Sequence, residues 1–357
     1  MEKIYEQLQE KIDRHPMGAP RHPAILALLR ELFTLEEARL ALTLSFSGLE
    51  AEEIAKRAGV SAEEAVRLLE SLANRGAIYC VKSKGNVRYA LMPPMPGFFE
   101  FSLVKGEETP ETRRMGDLWE DYFSQAMGEA MHNVGVPISR VIPVEEKVPC
   151  GMEILPYEKC AEIIKESRKI ALSQCQCRFS ARKCNAPLDV CLLLGGWAEF
   201  LIDRKLAGAI EFDQAIEVLR RAEEAGLVHT VTNSKERSAY ICNCCSCCCF
   251  MLRGVTELKY HSLASSSFLA GVDTEECIGC EVCIKRCPFR AIQMSQLEKA
   301  QVVQELCYGC GLCSSACPTE AISLRKREGP PEPYPTGREL LVDIAKDKNK
   351  LDSFISS

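Results

Sequence analysis

The chain has 357 residues, 46% of them hydrophobic and 26% charged, with a formal net charge of −6. This is enough chain for about two to four domains and ordinary enough in composition to bury a core, and its acidic balance argues against a general polyanion binder. No apolar run reaches the ~18 residues of a membrane span, and the opening MEKIYEQLQEKIDRHP is charged and amphipathic rather than a secretory leader. A cytoplasmic protein without membrane insertion is therefore expected.

Residues 1–33 read as two short helices broken at HPMGAPRHP. Residues 34–91 read as helices over LEAEEIAKRAG and VSAEEAVRLLESLANRG, followed by the alternating AIYCVKSKGNVRYALM. Ser61 is an N-cap with Glu64 three residues on, a capping box. Gly59 and Gly76 fall where helix ends favour a left-handed residue, and KGN marks a hairpin. Helix–turn–helix then hairpin resembles a winged-helix domain. Such domains lay their second helix in the major groove of DNA. In this chain that helix carries Glu63, Glu64 and Glu70 against Arg67 and Arg75, and residues 34–91 hold eight Lys/Arg against eight Asp/Glu. DNA affinity needs a basic face, so docking of a partner is expected and nucleic acid is not.

Residues 92–156 read as a linker, MPPMPGFFEF, anchored by its aromatics, then the helix TRRMGDLWEDYFSQAMGEAMHNVG and a Pro-rich extended piece. Residues 157–272 form a Cys-rich central region, expected to be mainly helical. It has helices at YEKCAEIIKESRKIAL and DQAIEVLRRAEEAG, strand-like LVHTVTNS and SAYICNCC, and APLDVCLLLG as a buried turn and strand. Residues 326–357 read as a tail with a short polar helix, an exposed arm. The fold class expected is thus α+β multidomain.

The 21 cysteines decide the chemistry. They are odd in number and crowd into 175–191, 242–249 and 277–317, which argues for metal rather than disulfides. At 277 the chain reads CIGCEVCIKRCPFRAI and at 307 CYGCGLCSSACPTEAI, one C-x2-C-x2-C-x3-C-P pattern twice, thirty residues apart. Residues 273–325 on this pattern resemble the bacterial two-cluster ferredoxin. The resemblance implies two [4Fe-4S] clusters with crossed ligands, the fourth cysteine of each motif serving the other cluster. Cys277, Cys280, Cys283 and Cys317 would hold one; Cys307, Cys310, Cys313 and Cys287 would hold the second. A pair of zinc sites is the alternative. Tyr308 is expected to shield a cube from water, and Lys285, Arg286 and Arg290 to offset cluster charge.

Ten further thiols lie in the central region. Cys175, Cys177, Cys184 and Cys191 form C-x-C-x6-C-x6-C; CNCCSCCC supplies Cys242, Cys244, Cys245, Cys247, Cys248 and Cys249. Cys242, Cys245 and Cys248 are spaced by threes, with Cys244 and Cys247 interleaved. Three readings stay open: one or two further iron–sulfur clusters, zinc as the alternative, or reactive thiols. Arg178, Arg182 and Lys183 would favour thiolates in each. Adjacent side chains of an extended segment point to opposite faces, so the triplet 247–249 is not expected to serve one metal. His132, His229 and His261 are weaker ligand candidates, and Cys80, Cys150 and Cys160 read as small hydrophobes. No motif for NAD, flavin, ATP or c-type haem is present.

On the segments C-x-C-R … C-N-x-P-L-x-V-C and C-N-C-C-x-C-C, together with the C-terminal motifs, the chain resembles a poorly characterised group of multi-cluster ferredoxin-domain proteins of anaerobes. That resemblance brings no settled reaction with it. Low-potential electron transfer is what the ferredoxin resemblance implies, and the reading it leads to is an electron-transfer component that passes single electrons between a redox donor and a partner oxidoreductase, with any catalysis in that partner. An iron–sulfur redox sensor acting on transcription and an enzyme binding substrate at the central cluster are the alternatives.

Overall fold

A computed structural model describes residues 2–355 except positions 84, 150 and 237, so Cys150 lies outside the described residues. Helix and strand are mixed, at 45% and 15%. Helices Glu2–Asp13 and Pro23–Leu32 flank the predicted HPMGAPRHP break. Three helices follow, Leu35–Ala41, Ala51–Ala58 and Ala62–Asn74, with a three-stranded antiparallel sheet in the order Leu49–Glu50, Asn86–Ala90, Tyr79–Ser83. Ser61 caps its helix by accepting from the Glu64 amide. The Glu64 carboxylate pairs with Arg67 instead of returning to the cap, so only half of the expected box forms.

The linker aromatics Phe98, Phe99 and Phe101 are fully buried. Phe99 stacks on Phe250, which also stacks on Phe123 at 4.2 Å between centroids. Phe123 opens a π-turn, Phe123–Met127, inside the long helical stretch that starts at Pro110 and ends at His132. Three aromatic rings thereby clamp the start of helix Phe250–Thr256, the element that follows Cys249.

The expectation of a mainly helical central region needs correction. Seven strands organise it, in the order Leu263–Ala264, Ser139–Val141, Val228–Thr232, Tyr240–Cys244, Cys191–Leu194, Ile170–Ser173, Gly208–Ala209. All neighbours are antiparallel except the first pair. Helix Cys160–Lys165 is only six residues long, and the IAL expected to extend it is strand. Ile170, Leu192, Leu194, Val231 and Ile241 bury against Val218 and Leu219 of helix Phe212–Glu224. Short β-branched and leucine runs compete as strand or helix when read alone; pairing with neighbours settles them as strand.

The C-terminal segment is not an exposed arm. Helix Gly337–Asp347 buries Leu340 and Ile344 in the same apolar cluster as Leu8, Ile12 and Phe33. Lys350 donates to the Asp13 carboxylate, and His15 packs edge-on to Phe354. Burial pushes the His15 imidazole down to about 3, with Lys348 and Lys350 adding to the effect, and its Nδ1 accepts the Met17 amide. In the unfolded chain the ring takes a proton near pH ~6.5. This contribution to stability is therefore complete above that value and is lost as pH falls from there towards 3. His15→Gln is expected to make the loss of stability between about pH 6 and 4 shallower by up to ~1.4 kcal/mol per pH unit, read by denaturant unfolding at stepped pH. Parallel profiles for the two proteins would refute it.

Candidate functional site

The C-terminal unit repeats itself in structure as in sequence. Each motif runs through a short helix, Val282–Arg286 or Leu312–Ser315, into a strand, and the strands pair as Ile292–Met294 with Ala300–Val302 and Phe268–Val272 with Ile322–Lys326. Cys277, Cys280, Cys283 and Cys317 line one cavity. Cys287, Cys307, Cys310 and Cys313 line another. The fourth cysteine of each motif thus faces the cavity of the other motif.

Backbone amides reach the sulfurs: Ala300 N–H meets Cys277 Sγ at 3.4 Å, Ala291 N–H meets Cys287 Sγ at 3.3 Å, and Ala270 N–H meets Cys307 Sγ at 3.5 Å. The amides of Ala300 and Gly279 hold the Cys277 thiol below its ordinary value, while burial pushes Cys310 up to about 12. Gly309, at φ +67, sits so close to the neighbouring strand that a Cβ would lie 2.0 Å from Phe268 O. Four thiols around each space, amides aimed at sulfur and a glycine where backbone crowds the wall fit a [4Fe-4S] cube in each cavity.

Tyr308 lines the second cavity, stacked on Phe289 at 4.4 Å, in keeping with a shielding place. Arg286 donates to the Glu223 and Glu224 carbonyls, closing the C-terminus of helix Phe212–Glu224, while Lys285 and Arg290 are exposed.

The ten central thiols divide into two sets. Six surround one cavity: Cys175, Cys177, Cys191, Cys242, Cys244 and Cys249, walled also by Glu100, Trp197, Tyr240 and Met251. Their sulfurs neighbour one another in the order 175, 191, 242, 244, 249, 177. The other four, Cys184, Cys245, Cys247 and Cys248, bring their sulfurs within 4.8 Å of one another.

The spacing by threes is broken: Cys242 parts from Cys245 and Cys248, and Cys244 from Cys247. Cys242 and Cys244 are alternate residues of strand Tyr240–Cys244 and face the same way, and Asn243 between them turns to His229 and the Val190 carbonyl on the opposite face. Cys191 begins the next strand, and its register partner Ser173 lies two residues before Cys175. Beyond residue 244 the chain leaves the sheet and turns over 246–248. A turn has no two-face alternation, so adjacent Cys247 and Cys248 converge on one site while Cys249 points to the other. The expectation that the triplet serves more than one place holds; its extended conformation does not.

Arg178 stands between the sets. Its side chain is 2% exposed and donates to the Pro187 and Asn243 carbonyls and, at 3.5 Å, to Cys245 Sγ. Nearby Cys175, Cys245 and Cys191 hold its guanidinium in the charged form against desolvation. Arg182 and Lys183 do not share that role, because they pair with Asp117 and Glu120. His132 and His229 are buried in hydrogen bonds to Phe250 O and Asn243, and His261 is exposed. Cys160 packs in an apolar cluster, and Cys80 accepts from Arg204. Glu100 was not singled out by sequence. Burial pushes its carboxyl up to about 8 beside the thiols, and only a lone acid within FFEF hinted at it.

Residues 270–324 match the family of the 4Fe-4S dicluster domain. Neither a curated protein nor a solved structure matches the chain. The C-terminus is therefore a ferredoxin-type 4Fe-4S domain, which with the cysteine-rich centre points to iron–sulfur electron transfer. Among the described residues no helix is long and apolar enough to cross a membrane.

Proposed function

We propose that the protein is a multi-cluster electron-transfer component that joins a redox donor to a partner oxidoreductase. Cys277, Cys280, Cys283 and Cys317 would hold one cube, Cys287, Cys307, Cys310 and Cys313 the second, and four of the six thiols of the large cavity a further cube. When bound, these groups supply one-electron redox chemistry. The chain's own part is to fix their spacing, exclude water and present a docking face.

One observation carries the reading. Cys287 and Cys310 of the second ferredoxin cavity belong to the same packed apolar cluster as Cys244 and Cys249 of the central cavity, with Val141, Val144, Val228 and Leu252 between them. Cys287, Cys307 and Cys313 also pack with Cys277, Cys283 and Cys317 of the first cavity. Two packed apolar clusters thus link the three thiol-lined spaces, one between the central and second cavities and one between the second and first. Exchange of electrons weakens steeply with separation, so centres joined through packed apolar side chains suit it. At the outer end Cys280 is exposed and Ile278 is 65% exposed, which suits a surface where a protein partner delivers or takes charge. Each ~59 mV between neighbouring one-electron centres shifts occupancy about tenfold, so amides and burial at each cavity would set direction.

We read residues 34–91 as winged-helix-like, on their helix and hairpin order, and as a docking unit. The arginines of its second helix are engaged by acids: Arg67 by Glu64 and Glu36, Arg75 by Glu37. The same helix meets the central region where Arg204 pairs with Glu70. This leaves little free positive charge for phosphates. The cytoplasm, where thiols stay reduced, is the compartment we assign.

The test is anaerobic purification with iron and sulfide counted per chain and paramagnetic resonance on the reduced protein. About twelve irons, with more than two reducible centres, are expected. About eight irons would overturn the central cluster, and an iron-free chain the whole proposal.

A further inference from the structure

The division of the central thiols into six and four has a chemical consequence. We propose that Cys184, Cys245, Cys247 and Cys248 form a closed single-ion site for zinc, separate from the large cavity. Cys184 Sγ lies 3.7 Å from Cys245 Sγ and 3.8 Å from Cys248 Sγ, and Cys247 Sγ lies 3.7 Å from Cys248 Sγ. Four sulfurs placed tetrahedrally ~2.3 Å from one ion stand ~3.8 Å apart. A cube spreads its four thiolates wider, because each binds a different iron at a different corner. The molecule contains its own comparison: among the described residues neither ferredoxin set converges within 4.8 Å, and this set does. Nor are these disulfide partners, which would need sulfurs ~2.05 Å apart.

Charge supports metal-bound thiolates at this place, while the sulfur spacing selects the single ion. Arg178 is buried without a carboxylate partner among the described residues, and one of its hydrogen bonds ends on Cys245 Sγ. A buried cation needs an anion nearby. Neutral thiols do not provide one, whereas four thiolates around a divalent ion leave two net negative charges. Four protein ligands also leave no open coordination position, the arrangement of a structural zinc.

The site ties the loop that carries Cys184 to Cys245, 61 residues away, and to Cys248 in the 246–248 turn, 64 residues away. That turn joins strand Tyr240–Cys244 to Cys249, so the ion would set where Cys242, Cys244 and Cys249 stand around the neighbouring cavity. The ion carries no electrons. Its role is to hold the wall of a site that does.

The experiment uses the full-length protein purified anaerobically, with zinc and iron counted and zinc-edge X-ray absorption recorded. One zinc per chain with four sulfurs at ~2.3 Å is expected. Cys247→Ser should lose that zinc and retain the roughly eight irons of the ferredoxin domain; should this variant fold poorly, the absorption of the unaltered protein decides alone. A zinc-free protein overturns the proposal, whether the four thiols then hold one iron or a cube, and so does zinc bound with nitrogen or oxygen neighbours. The electron-transfer reading fails differently, through a chain that holds zinc and lacks iron.

Discussion

Replacing Cys287 by Ser is expected to cost the protein about four irons and one paramagnetic centre, and the lost centre is that of the second motif. Cys287 sits in the first motif, beside Cys283, yet its side chain lines the cavity of Cys307, Cys310 and Cys313. The crossing makes an arithmetic forecast. Cys287→Ser combined with Cys310→Ser should lose no more iron than either alone, because both act on one cavity. Cys287→Ser combined with Cys277→Ser should lose about eight. If the first pair were additive and the second were not, each motif would serve its own cluster and the assignment would fail. The pairwise comparison separates the two cavities.

The second large effect concerns Arg178. Arg178→Ala removes the donor to two buried carbonyls, Pro187 O and Asn243 O, and to Cys245 Sγ. Removing one partner of a buried charged group leaves the other uncompensated, a loss of ~3–5 kcal/mol. We expect a destabilisation of that size in anaerobic denaturant unfolding, with loss of metal from the centre and retention of the roughly eight irons of the ferredoxin domain. Arg178→Lys keeps the charge but not the planar fork that serves three acceptors, so it should recover only part of the stability. Equal metal content in Arg178→Ala and the unaltered protein would show that the guanidinium packs the loop and has no part in balancing thiolate charge.

The two halves of the candidate site differed in how openly the sequence showed them. The ferredoxin thiols could be assigned to cavities from their motifs because the ligand pattern is local: steps of three bring Cys277, Cys280 and Cys283 to one space, and the family resemblance supplied the crossed fourth ligand. The helices with strong apolar periodicity, such as Phe212–Glu224, were equally plain. The central thiols were not. Spacing by threes suggested Cys242, Cys245 and Cys248 as a unit, and the structure divides them between two sites. The same reading allowed Arg182 and Lys183 a share in the thiol charge that Asp117 and Glu120 take up instead.

What the amino-acid order determined by itself was the kind of chemistry and the identity of eight thiols that line two cavities, because those contacts close over a few residues or within one repeated motif. Tertiary structure decided the rest. Which face Cys242 and Cys244 present depends on a strand held by partners at Val228–Thr232 and Cys191–Leu194, and which sulfur meets Cys184 depends on a turn that begins where that pairing ends. The C-terminal helix likewise found its place on Leu8 and Ile12, more than 300 residues earlier in the chain. Contacts between distant segments have no period of their own to read, and only the folded packing selects among them.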